Sequence, residues 1–441
     1  MLQDRWGHDI TTTSPEAVAA FNRAVVDLLE YRLSLGDQVK AMLAADGDCV
    51  MALCFRGYMM MQFGSTAVYG KVREVLEPAE ARAGDATARE QLHVKALRSW
   101  LEGRVREARG HWEAIAISHP RDLLALRLHH FMSFWQGDRQ ALRDVPAGAL
   151  AAADDDMPGY EFLLSMVAFG MEECGDYVRA EDYGRKSVAI NSNDLWGIHA
   201  VAHVLEMQCR HGDGIDFLDQ PYGTWSNCNP FKDHVWWHTA LFALELGDYE
   251  RVLDIYDREV QAGEAGFYLD VQNAASMLMR LKLCGVDVGG RWQPLAELAM
   301  KRKGDHVMPF TDAHFLLALV GASKGDGADS YRRSLAEFAK QDGVDAAEVT
   351  RDIGLSLANA LCAYGEGRHG EAADTLFGIR HELAPLGGSH AQQDVFHQIM
   401  IDAAMTAGKA DMARSLLNER TLLRPGSAWA PERLAALQRV A

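Results

Sequence analysis

The chain has 441 residues, 48% of them hydrophobic, and a formal net charge of −18. That length exceeds the roughly 250–300 residues that one core usually supports, so several domains or a repeat array are expected, and the apolar content excludes a disordered chain. The acidic balance, with no long basic block, excludes phosphate-backbone binding and leaves a small molecule or a short peptide as the expected partner.

The start, MLQDRWGHDI, has no basic stretch followed by an apolar one. No apolar run reaches the ~20 residues of a membrane span; MALCFRGYMMMQF is short and Arg56 interrupts it. Seven cysteines are dispersed, odd in number and free of any CxxC, which fits a reducing compartment. A cytoplasmic protein with neither nucleic-acid nor membrane partners is the expectation, its oligomeric state open.

Strand signals are nearly absent, whereas apolar residues recur at three- and four-residue intervals in segments that Gly or Pro terminates. The first helix has a complete start signal: Ser14 to cap, Pro15 at the first position, Glu16 against the positive end of the dipole. Then a punctuation repeats, with Gly at a turn and a small residue five positions on: Gly103 and Ala108, Gly175 and Ala180, Gly247 and Val252, Gly367 and Ala372, Gly408 and Ala413. Trp112 and Pro120 complete the first of these, Leu417 and Pro425 the last. Glycine makes the turn without a Cβ clash, and the small residue lets the second helix approach the first. The pattern is that of tetratricopeptide helix pairs, so an all-α helix-pair solenoid is expected over residues 1–441, an α/α superhelix with the option of curling around a central cavity. Spacing drifts over 285–345, where a longer loop or irregular repeats are expected.

Several segments together resemble the tetratricopeptide repeat protein 38 family: TSPEAVAAFNRAV, ARGHWEAIAISHPRDLLALRLHH, NDLWGIHAVAHVLEMQ, FKDHVWWHTALFALELGDYERVLDIYD and QDVFHQIMIDAAMTAGK. The resemblance runs almost end to end and implies the same solenoid of degenerate helix pairs. It implies no particular reaction.

The central third holds the chemistry. His199 and His203, then His234 and His238, are spaced by four within each pair, so each pair occupies one helix face. The pairs are 35 residues apart, close to the ~34-residue repeat period. With Gly212 and Gly247 taken as turn glycines, His199 and His234 share one repeat position and His203 and His238 another, which brings both pairs to the contact between neighbouring first helices. Imidazoles at i and i+4 can chelate one transition metal (zinc, manganese or iron), or serve as acid/base groups of a hydrolytic centre. The other reading packs the rings between repeats. Glu206 or Asp270 is the candidate carboxylate, and Asp233 the candidate acceptor that orients a ring.

Trp196 and Trp237 would wall a pocket, with Trp225 and Trp236 close by, and Asp312 and His314 are expected to face it from a later helix. Lesser candidates are Asn273, Asp394 and His397, while the adjacent His129 and His130 point to different faces. The Gly-, Pro- and Asn-rich segment after His211 reads as a loop over a groove mouth; its Cys228 has no evident activating base. The expected function is a helical-repeat protein whose His-rich concave pocket binds a small polar ligand or short peptide. A metal-dependent hydrolase on the same four histidines is one alternative, a protein-interaction scaffold another.

Overall fold

The computed structural model describes residues 1–219, 227–263 and 266–440. Among them the only strands are Leu2–Gln3 and Asp9–Ile10, paired antiparallel. The remaining regular structure is helical, in successive antiparallel-style hairpins, and the fold is an all-α helical-repeat array. Two compact units divide it. One comprises Met1–Val201, Pro221–Lys232 and Gly343–Asp345; the other comprises Ala202–Gln220, Asp233–Asp342 and Ala346–Ala441. No helix among the described residues is long and apolar enough to cross a membrane.

Local chemistry accounts for the hairpins. The Ser14 hydroxyl accepts the Ala17 N–H at 3.1 Å and opens the helix Pro15–Leu29. At the turns, Gly103, Gly175, Gly247, Gly367 and Gly408 all have φ between +71° and +82°, the left-handed region that a Cβ disfavours. Where aspartate follows the glycine, it caps the next helix: Asp138 accepts the Ala141 N–H at 3.0 Å, and Asp248 the Arg251 N–H at 3.2 Å. A Gly-Asp pair thus ends one helix and starts the next. The five small residues after the turns, Ala108, Ala180, Val252, Ala372 and Ala413, are each 0% exposed.

At some turns a residue other than glycine takes the left-handed conformation, Ser323 and Cys209 among them. The residues 285–345 carry helices Trp292–Lys301, Pro309–Gly321 and Gly325–Phe338; the last two are joined at Ser323, φ +56°, and Ala328 follows five residues later, buried. The repeat grammar therefore continues with serine in the glycine position.

The helices Leu195–Met207 and His211–Leu218 are joined at Cys209, φ +57°. Gly212 lies inside the second of these helices and is not the turn residue, which corrects the register read from the sequence. Five residues beyond Cys209 stands Gly214, where a Cβ would lie 2.5 Å from the Phe242 ring. Counted from the true turns, His203 stands six residues before Cys209 and His238 nine before Gly247. The two histidine pairs are therefore about one helical turn out of step.

Candidate metal centre

The helix Leu195–Met207 carries His199 and His203, and the helix Phe231–Glu245 carries His234 and His238. Both are apolar on nearly every face, so side chains that would ordinarily seek water are drawn into the interior. His203 and His238 are 0% exposed, His199 2% and His234 3%. The rings meet despite the shift of register. Centroids of His203 and His238 are 4.4 Å apart, and those of His234 and His238 5.0 Å. Each of the four residues offers a ring nitrogen, and the four nitrogens lie within 4.8 Å of one another. His199 enters the group from the same continuous helix as His203, one turn earlier.

Burial sets the charge of His234 and His238. It pushes the His234 pKa down to about 3, against the opposing hydrogen bond to Asn273. Burial, followed by the neighbouring His203, His234 and Arg280, holds His238 well below the ordinary imidazole range. Neutral imidazole is the form that donates a lone pair to a metal. The His234 Nδ1–H donates to Asn273 Oδ1 at 2.8 Å, which leaves Nε2 as the ligand nitrogen. Orientation of a ligand ring through its other nitrogen is a common feature of metal sites. Here the acceptor is Asn273, on the helix Tyr268–Leu283. Asp233 is half-buried at the start of its own helix.

A cation that the sequence reading missed lies close by. Arg280 is 2% exposed, its guanidinium 5.5 Å from the Trp237 ring centroid, and it donates to the Ala391 carbonyl at 2.7 Å. A second bond reaches the Ser276 hydroxyl. Burial lowers its pKa to about 10, with Asp394 and Glu206 opposing. Asn273, Ser276 and Arg280 recur at three and four residues in the otherwise apolar YLDVQNAASMLMRLKL, a polar stripe that could have been seen beforehand.

The remaining candidates divide. Glu206, 3% exposed, pairs with Arg424 at 2.9 Å, and Arg420 bonds Asp394 through Nη2 at 3.0 Å. These carboxylates balance a buried arginine cluster and do not join the four-nitrogen group. Trp237 is fully buried, its ring stacked on His234 at 5.2 Å. Trp196 is 7% exposed and lies under the Arg127 guanidinium, 4.4 Å from its centroid. Trp236 and Asp270 are half-buried. Trp225 and the rest of 220–226, the middle of the expected groove loop, fall outside the described residues. Asp312 bonds His306 and Tyr331, while the His314 Nδ1–H donates to the Phe310 carbonyl at 2.8 Å. Cys228 is 6% exposed with its thiol pKa raised by burial, the opposite of an activated nucleophile. His129 and His130 are both buried, and His130 Nδ1–H donates to the Leu142 carbonyl at 3.2 Å.

No family model matches the chain. A solved structure described as Naa15/Naa10 bound to HypK-THB is similar at 10% identity, over 96% of this chain and 66% of that one, with a TM-score of 0.26. The chain spans just under two thirds of that structure's matched chain.

Proposed function

We propose that this chain is a cytoplasmic helical-repeat binding protein that holds a divalent transition metal on His199, His203, His234 and His238, with zinc as the ion of choice. One observation carries the reading: four buried ring nitrogens gathered within 4.8 Å. Zinc binds imidazole nitrogen at ~2.0–2.1 Å in a tetrahedron, whose nitrogens are then about 3.4 Å apart. Small side-chain rotations close the difference. Manganese and iron(II) also accept imidazole, but an all-nitrogen set of four suits zinc best.

Four protein ligands fill a tetrahedral ion, whereas a hydrolytic zinc keeps one position open for water. The ion is therefore assigned a structural task, bracing the two histidine helices. The other hairpin surfaces are assigned the binding of a short peptide or small polar molecule. Kinship with the tetratricopeptide repeat protein 38 family belongs to this reading and rests on the segments quoted above. Seven free cysteines support the cytoplasm.

The test is direct. Untagged protein is stripped with a chelator, reloaded with zinc, and assayed by elemental analysis and thermal unfolding. One zinc per chain and a raised midpoint are expected, at about 2.7 kcal/mol when free zinc is 100 times its Kd. Both should be lost in the His203→Gln, His238→Gln double variant. A folded apoprotein that takes up none of zinc, manganese or iron(II) sinks the reading.

A further inference from the structure

A second histidine arrangement lies in the unit that carries His203, His234 and His238. His306 occupies the connection between the helices Trp292–Lys301 and Pro309–Gly321 and has φ +45°. A side chain held in that region costs on the order of 1–3 kcal/mol and persists only where its surroundings impose it. Here they fasten both ring nitrogens. The Nδ1–H donates to Asp312 Oδ1 at 2.9 Å, and Nε2 lies 2.8 Å from Ser334 Oγ. With the ring proton on Nδ1, the serine hydroxyl is the donor and Nε2 the acceptor. Asp312 is 4% exposed, and the Tyr331 hydroxyl donates to the same oxygen at 2.6 Å. Ser334 sits on the helix Gly325–Phe338 and is half-buried. Together with His306 it borders a surface hollow of about 450 Å³ whose other walls include Phe338, Glu337, Lys340 and Gln341.

We propose that Ser334, His306 and Asp312 form a nucleophilic triad that hydrolyses small, uncharged carboxylic esters. Ser334 Oγ attacks the ester carbonyl carbon as its proton passes to His306 Nε2. The carbon–oxygen bond then breaks, and the departing alkoxide takes that proton to leave as the alcohol. Water attacks the acyl-serine, again giving a proton to His306, which returns it to Ser334 as the carboxylic acid departs. Asp312 stays ionised throughout, positions the ring and stabilises its transient charge. Depth separates this arrangement from Tyr58, His93 and Asp122 in the other unit. His93 there is bonded to both neighbours at 3.2 Å, but Tyr58 and His93 are both 0% exposed and have no substrate access.

The hollow also limits the substrate. Ser334 lies within a helix, so its own N–H is committed to the helical ladder. The side-chain donors among the hollow's walls are the Gln341 amide and the Lys340 ammonium, which Glu337 holds at 2.6 Å. Losing one preorganised donor typically costs about 10²–10³ in rate, which favours esters over the less reactive amides. Phe338, its ring 5.3 Å from that of His306, gives an apolar wall for a short acyl group.

The whole chain is treated with a fluorophosphonate and, separately, with p-nitrophenyl acetate. A covalent adduct mapped to Ser334 and a turnover that survives a chelator are expected. Ser334→Ala, which removes one oxygen from a half-buried position, should abolish the adduct and lower turnover by ~10³ or more at an unchanged thermal midpoint. His306→Gln should do the same. No adduct at Ser334, turnover that persists in Ser334→Ala, or turnover that a chelator removes would each overturn the proposal, the last by handing the reaction to the metal centre.

Discussion

Two histidine groups within a single chain sit in opposite surroundings. His234 and His238 face other imidazoles and a carboxamide, in an interior that keeps them neutral with lone pairs to give. His306 lies between a carboxylate and a hydroxyl at the rim of a hollow, the surroundings of a ring that accepts a proton and hands it on. Histidine content alone says little. What a ring can do follows from the partner on its second nitrogen.

The comparison can be broken at either end. The largest effect is expected from Asp312→Asn, which removes the negative charge behind His306. Turnover at Ser334 should fall by up to ~10⁴ at an unchanged KM, and the acidic limb of the pH–rate profile, where the general base loses its proton, should move, while zinc affinity stays put. A next test concerns a histidine of neither kind. Burial first, with Arg280 adding, lowers His314 to about 4 against its bond to the Phe310 carbonyl, whereas the unfolded chain binds that proton near 6.5. Between those values the unfolded state holds more protons. Its stabilising contribution is complete above pH 6.5 and declines as pH falls to 4, by about 3 kcal/mol in all. Denaturant titrations of wild type and His314→Leu should differ in slope over that window.

At the metal centre, Asn273→Ala should weaken zinc by about 10–100-fold, read by chelator competition, with ester turnover unchanged. Loss of both readouts together would show that the variant perturbs the unit and not one site. Smaller effects come from the scaffold that sets the helices. Gly214→Ala places a methyl 2.5 Å from the Phe242 ring and should cost about 1–3 kcal/mol by equilibrium unfolding. Cys209→Gly relieves a left-handed cysteine and should gain about 1 kcal/mol or less, with zinc affinity intact if that turn only joins the helices.

Much of the fold is legible because its signals are local. A Gly-Asp pair makes a turn and a cap within four residues, and Ala108 or Ala372 marks a helix crossing by its size alone. Histidines four apart on one apolar helix announce a shared face. Less legible were Cys209 and Ser323, which carry out a glycine's work because neighbouring helices impose the geometry. Misplacing the first of these put Gly212 at a turn and matched the histidine pairs in a register they do not have. Arg280 was overlooked because its counter-charges, Asp394 and Glu206, lie far away in sequence.

Taken alone, the order of amino acids determined an all-helical hairpin array, most of its turns, and two pairs of imidazoles each on one face, since all of these depend on contacts within a few residues. Only the tertiary structure decided that His203 meets His238, that Asn273 bonds His234, and that Asp312 serves His306 across a left-handed turn with Ser334 beyond it. Apart from His306 and Asp312, six residues from one another, those partners stand 28 to 39 residues apart. Side-chain packing, which has no counterpart in local spacing, chose among the faces each helix could present.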